Sequence, residues 1–98
     1  MQIVKTVEAG KLSVALEGRL DTMTAPELEA AVKDELDSVD SAVLDLKGLE
    51  YVSSAGLRVI LSVHKALAGK SGLTVKNPNE TVTEVFEVTG FSDILNIE

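Results

Sequence analysis

The sequence predicts a single α/β domain, a mixed β-sheet with helices packed on it. Three observations carry that expectation. Apolar residues recur with a period of two in some stretches and near 3.6 in others. The stretches "TAPE" and "NPNE" have the composition of helix starts. The strand-like runs "AVLDL" and "LTV" flank a helical run, the connection that makes two strands parallel neighbours. With 98 residues the chain is long enough for one hydrophobic core and too short for two. The expected domain spans residues 1–98.

The elements follow in order. Ile3, Lys5 and Val7 alternate with Gln2, Val4 and Thr6, and Leu12, Val14 and Leu16 alternate with Ser13, Ala15 and Glu17. Both stretches read as half-buried strands. "EAGK" between them supplies a turn glycine, so they should pair as an antiparallel hairpin. "EGRLD" is expected to lead out of the sheet. In "TAPE", Thr24 reads as an N-cap, Pro26 as a first-turn residue and Glu27 as the partner closing a capping box. Leu28, Ala31, Val32 and Leu36 continue at helical spacing, with Glu29, Lys33, Asp34 and Asp37 on other faces.

The run 42–46 reads as a short central strand. From Ser54 the positions Leu57, Ile60, Leu61 and Leu67 form a helical stripe ending near Gly69. Residues 73–75 make another strand. Asn77 then reads as the cap of a last helix, with Pro78 first, Glu80 third, an inner face of Val82, Val85 and Phe86, and Gly90 as C-cap. The tail "FSDILNI" offers Phe91, Ile94, Leu95 and Ile97 to cover the sheet or a helix.

Composition narrows the function classes. The chain has no Trp, one Tyr and two Phe, so its core must be aliphatic. A formal net charge of −7 argues against nucleic acid or an anionic membrane surface as partner, since both need clustered Lys and Arg. There is no cysteine, which excludes disulfides and thiolate metal sites and suits a reducing compartment. No apolar run has the length of a membrane span, and the first residues lack the pattern of a signal peptide. The expectation is a cytoplasmic protein with no membrane insertion.

Catalytic chemistry finds little support. His64 is the only histidine and falls on or beside an apolar stripe, where a packing role is expected. It lies ten positions beyond Ser54 on the same predicted helix, about 15 Å along the axis, too far to serve as that serine's base. "SSAG" is not a nucleophile elbow. No phosphate-cradling or dinucleotide-binding glycine pattern occurs, and no cofactor or metal site is expected. The acids Glu27, Glu29, Asp34, Glu35, Asp37 and Asp40 read as a solvated face. Asp21 and Asp45 differ, since each lies at or within a strand. Asp45 should accept hydrogen bonds from loop backbone or a hydroxyl. For Asp21, structural and functional roles are both open.

The stretch "DLKGLEYVSSAGLRVIL" concentrates the remaining interest. Ser53 or Ser54 can cap the helix that follows, and one serine suffices. The doublet also stands past the carboxyl end of a strand and at a helix start, where ligands and partners tend to be met in open α/β sheets. Negative charge is favoured there. Ala55 and Gly56 add almost no bulk, so another molecule could approach the hydroxyl. A phosphate on Ser54 would add about −1.5 to −2 charge to any contact surface.

The residues "LDLKGLEYVSSAGLRVIL", with "EGRLDTMTAPEL" upstream and "VFEVTGFSDIL" downstream, resemble the STAS domains, and among them the bacterial anti-sigma factor antagonists. The resemblance covers essentially the whole chain and implies a small mixed sheet with helices mainly on one face. It implies a regulatory binding protein, not an enzyme, whose partner is an anti-sigma factor that is itself a serine kinase. Unphosphorylated antagonist binds that kinase, phosphorylated antagonist lets go, and a phosphatase resets it. The family pattern aligns Ser54 with the phosphoacceptor and Asp21 with an acidic residue close to it. Ser53 stands where many phosphorylated members carry Asp, and Ala55 where a second hydroxyl is common. The implied contact surface comprises Asp21, Thr22 and Met23 with Ser53, Ala55, Gly56, Leu57 and Arg58. A STAS subunit of a transporter or lipid-transport complex, with Ser54 unmodified, is the alternative.

Overall fold

A computed structural model describes residues 1–98. The chain runs β1 (Gln2–Glu8), β2 (Lys11–Leu20), α1 (Ala25–Lys33), β3 (Ser41–Val52), α2 (Ser54–Leu67), β4 (Gly72–Lys76), α3 (Glu80–Thr89), a 3₁₀ turn (Phe91–Asp93) and β5 (Asn96–Ile97). The strands form one five-stranded sheet in the order β1-β2-β3-β4-β5. β1 and β2 are antiparallel, and every other pair is parallel. The α/β class, the mixed sheet and the single domain are as the sequence predicts.

The hairpin turn is Ala9–Gly10, with φ of 51° and 79°. Positive φ at both central residues is the two-residue geometry that matches strand twist, and glycine adopts it without strain. Beyond the turn, Leu12, Val14 and Leu16 of β2, Ala42, Leu44 and Leu46 of β3, and Leu73 and Val75 of β4 are all buried. The period of two puts them on one face of the sheet. Leu28 and Val32 of α1, Ile60 and Leu67 of α2, and Phe86 of α3 pack against them in a single core cluster. No polar or charged side chain is buried. The other face, with Ser13, Val43 and Thr74 in one row, stays half-open, so the helices lie on one side.

Several expectations change. β1 is hardly buried, and only Ile3 is half-covered, because nothing pairs its outer edge and only α1 reaches over it. There Lys5 Nζ donates to the Ala31 carbonyl at 2.9 Å and meets Glu35 at 3.3 Å. A charge on the helix-facing side of an edge strand discourages pairing with another chain. "EGRL" does not leave the sheet. β2 continues to Leu20, and β3 runs twelve residues, not five, because register shifts at Ala15/Glu17 and Gly18/Arg19 let the two strands stay paired. The α2 stripe is Gly56, Leu57, Val59, Ile60, Val63 and Leu67, with Leu61 on its flank.

The last helix begins later than expected. Its cap is Asn79, whose side chain accepts from Val82 N–H at 2.8 Å while its amide donates to the Leu49 carbonyl at 3.0 Å. Asn77 instead adopts φ 58° and donates to Asp45 Oδ1 at 3.1 Å. Gly90 is the left-handed C-cap. The tail adds a fifth strand where mere cover was expected: Glu98 N–H donates to the Val75 carbonyl at 2.8 Å, extending the β4–β5 pairing.

Candidate functional site

β2 and β3 end side by side, with Leu20 paired to Val52, and each chain turns there into a helix. The Ser53 N–H donates to the Leu20 carbonyl at 2.8 Å. That bond ties the end of β2 to the start of α2, so two segments more than thirty residues apart in sequence share one edge of the molecule.

On the α2 side the two serines divide the work. Ser53 is the N-cap, in extended conformation, and its Oγ accepts from the Gly56 N–H at a long 3.5 Å. Its carbonyl accepts from the Leu57 N–H at 2.9 Å. Ser54 is the first helical residue and exposed. Its hydroxyl takes no part in the cap. Alanine follows, and then Gly56, which is buried. A Cβ at Gly56 would lie 2.6 Å from Leu20 Cγ and 2.9 Å from Val52 Cγ2. Gly56 is therefore small so that α2 can close against the strand ends, and not to open a path to the hydroxyl. Leu57 is buried too. Helical periodicity turns both inward, so they support the proposed surface from beneath and present nothing to a partner. Arg58, one turn after Ser54, is exposed.

On the β2–α1 side, Asp21 organises a tight turn. Its Oδ1 accepts from Met23 N–H at 3.0 Å and Thr24 N–H at 3.2 Å. Its own N–H donates to Thr24 Oγ1 at 2.9 Å, and that hydroxyl donates on to the Arg19 carbonyl at 2.7 Å. Thr24 is thus the residue before α1 but caps nothing with its side chain; the capping box with Glu27 does not form, because Asp21 has claimed the hydroxyl. Partial burial pushes the Asp21 carboxyl up, but the donors from Thr24 and Met23 and the nearby Arg19 guanidinium outweigh it and hold it below the usual carboxylate range. Thr22 and Met23 sit at the apex of the turn, exposed, with Met23 at 82%.

Thr24, Arg19 and Tyr51 belong to this edge and were not among the sequence candidates. Arg19 lies over the Tyr51 ring, 4.7 Å from its centroid, a contact between cross-strand partners. The D-x-x-T spacing of Asp21 and Thr24 was a readable signal for the turn. Nothing in the sequence paired Arg19 with Tyr51, since that register depends on the shift just before it.

Asp45 is remote from this edge. Its Oδ1 accepts from Asn77 Nδ2 and from Lys47 N–H at 3.0 Å. Those bonds outweigh partial burial and hold its carboxyl below the usual range. His64 is half-buried on α2. The largest cleft, about 420 Å³, opens on the uncovered sheet face beside Val4, Glu17, Asp45 and Lys47 and includes none of the Ser53–Arg58 residues. No group of three or more His, Cys, Asp or Glu side chains is placed to hold a metal. No helix is long and apolar enough to cross a membrane.

The chain thus carries its helices on one face of a mixed sheet, with an exposed serine at the mouth of the second helix. The family model described as "Mlab, STAS domain" matches residues 3–96, and the chain belongs to the STAS domain family. Among relatives, the Bordetella bronchiseptica protein BtrV, named as an anti-sigma factor antagonist, is 40% identical over 90 residues, covering 90% of this chain and 78% of BtrV. The anti-sigma-B factor antagonist of Listeria monocytogenes is 28% identical over 99 residues, covering 97% and 85%. The crystal structure of an anti-sigma factor antagonist from Mycobacterium paratuberculosis superposes with a TM-score of 0.88 at 25% identity, covering 98% and 83%.

Proposed function

We propose that this protein is an anti-sigma factor antagonist working by partner switching. Unphosphorylated, it binds an anti-sigma factor serine kinase through the edge formed by Asp21, Thr22, Met23, Ser53, Ser54, Ala55 and Arg58, with Gly56 and Leu57 fixing its shape. The kinase transfers a phosphoryl group from its ATP to Ser54 Oγ: the new O–P bond forms as the bond to ADP breaks, and the hydroxyl proton passes to the kinase. The phosphoprotein dissociates, and a phosphatase restores the serine with water. The protein itself is a binding partner in the cytoplasm and not a catalyst.

The observation that carries this reading is the division between the serines. Ser53 caps α2, which leaves the exposed Ser54 hydroxyl free to be modified without unmaking the helix start. The added charge falls on a chain already at −7, inside the surface a partner must cover. A loss of about 1.4 kcal/mol in that contact is tenfold in affinity, so modest repulsion is enough to switch it.

The test is to incubate the protein with ATP and its cognate anti-sigma kinase and to locate added phosphate by mass spectrometry. Label is expected on Ser54 and lost in Ser54→Ala. Ser54→Asp is expected to melt as the parent does, since negative charge suits a helix N-terminus, and to bind the kinase at least tenfold less tightly. No transfer, or transfer elsewhere, overturns the reading in favour of a STAS subunit of a transporter or lipid-transport complex. Ester hydrolysis abolished by Ser54→Ala would overturn it in favour of a serine nucleophile.

A further inference from the structure

α2 is the one helix of the chain's three with no acidic residue: its charged and titratable side chains are Arg58, His64 and Lys65. On a molecule of net charge −7, this helix presents the opposite sign. Arg58 stands apart even there. It is exposed and neither of the two ion pairs in the molecule includes it; those are Lys5–Glu35 and Lys76–Glu98. No side-chain hydrogen bond engages it, and the cation–π contact at this edge belongs to Arg19. Arg58 lies four residues after Ser54 on the same helix. Side chains at that spacing are neighbours, about 5–6 Å apart at Cβ, and an anion placed N-terminal to a cation is the favourable order.

We infer that a phosphate on Ser54 is received within the same chain by Arg58, whose planar guanidinium can offer two parallel N–H donors to the phosphate oxygens. The inference rests on the proposed modification of Ser54 and adds how the modified site is organised. A phosphate so held lies back along α2, with one of its charges neutralised, and is not splayed into solvent. The pairing also removes a cation. An Arg58 engaged by phosphate can no longer meet an acidic group on a partner, so the modification subtracts from the docking face while it adds to it. The other charges at this edge are placed differently. Arg19 is stacked on Tyr51, and the Asp21 carboxylate is turned into its own loop by Met23 and Thr24.

The experiment places phosphoserine at position 54 by genetic encoding, so that no kinase is needed. The second ionisation of the phosphate is then followed by phosphorus NMR. A cation in contact favours the dianion, so the parent protein is expected to titrate lower than Arg58→Gln, by roughly 0.3 pH unit or more. Arg58→Lys should recover part of the shift, and Arg19→Gln should leave it unchanged. Identical titrations in the parent and Arg58→Gln overturn the inference, as does a shift that follows Arg19. Circular dichroism of each variant separates loss of the pair from loss of the helix. Because the phosphate is installed directly, failure of the kinase to modify Ser54 would sink the proposed function alone, whereas an unshifted titration would sink the pairing alone.

Discussion

Replacing Gly56 by alanine asks the fold to choose between two effects of opposite sign. Alanine in the interior of a helix is favoured over glycine by about 0.8–1 kcal/mol, so propensity alone would raise the melting temperature. Here the added methyl would sit 2.6 Å from Leu20 Cγ, 2.9 Å from Leu20 Cδ2 and 2.9 Å from Val52 Cγ2. Carbon atoms in contact prefer about 3.5–4.0 Å, so close to 1 Å must be found. Leu20 and Val52 are 0% and 1% exposed and have no free space to swing into. Overpacking of this kind costs about 1–3 kcal/mol. The clash is the larger effect, and a domain of about 100 residues loses about 4–8 °C for each kcal/mol. Thermal and urea unfolding should show Gly56→Ala destabilised by about 1–2 kcal/mol, or about 5–15 °C. A cycle with Leu20→Ala isolates the cause. Once Leu20 is truncated, the same Gly56→Ala change should cost clearly less, with the remaining penalty set by the 2.9 Å approach to Val52 Cγ2. A rise in Tm on Gly56→Ala in the parent would refute the close approach of α2 to the strand ends.

The other expectations concern the caps and the carboxylates. Asn79→Ala removes a 2.8 Å cap bond on α3 and the 3.0 Å tie to Leu49, and should cost about 2 kcal/mol in urea unfolding, at the upper end for a cap. Ser53→Ala, which loses only a 3.5 Å bond, should cost clearly less, near 0.5 kcal/mol. Asp45 is held below the ordinary carboxylate range chiefly by the Asn77 side chain and then by the Lys47 N–H. A depressed native pKa means that the unfolded chain binds more protons near that range. The stability from Asp45 is therefore complete above its unfolded value, about pH 4, and lost as pH falls through its native one. The urea midpoint of Asp45→Asn should fall less steeply between pH 5 and pH 3 than that of the parent.

Periodicity made the core legible. Leu12, Val14, Leu16, Leu28, Val32, Leu57, Ile60, Leu67, Val82 and Phe86 were placed inward by spacing, and all are buried. Positions that depend on pairing with a distant segment were not legible. β2 and β3 extend past their apolar runs because each supplies the other's hydrogen bonds, and β5 exists only because β4 leaves an edge for it. At helix starts, local signals competed. Asn77 and Asn79 both suit a cap, and Asp45, thirty-two residues upstream of Asn77, took the first of them. At the candidate site the sequence located the serine doublet and Asp21 but could not say which serine caps. Gly56 was misread as an opening because its tight contact is with Leu20, which the sequence does not place nearby.

That assignment of the cap has a consequence for how a switch can be built at a helix end. Had Ser54 been the capping side chain, a phosphate there would have changed the fold's stability and the contact surface together. With Ser53 as the cap, the backbone at the β3–α2 junction is fixed by the Leu20 carbonyl and the Gly56 N–H, and neither bond involves Ser54. A neutral serine at the cap also spares the proposed phosphate a like charge one residue away, where an aspartate would repel it across a short distance. The cost is a weaker cap, visible in its 3.5 Å length, and the close packing of Gly56 against Leu20 and Val52 compensates by seating the first turn of α2. With Ser53 and Gly56 making the contacts to Leu20 and Val52, the proposed phosphate on Ser54 and its pairing with Arg58 would leave the bonds between α2 and the sheet untouched.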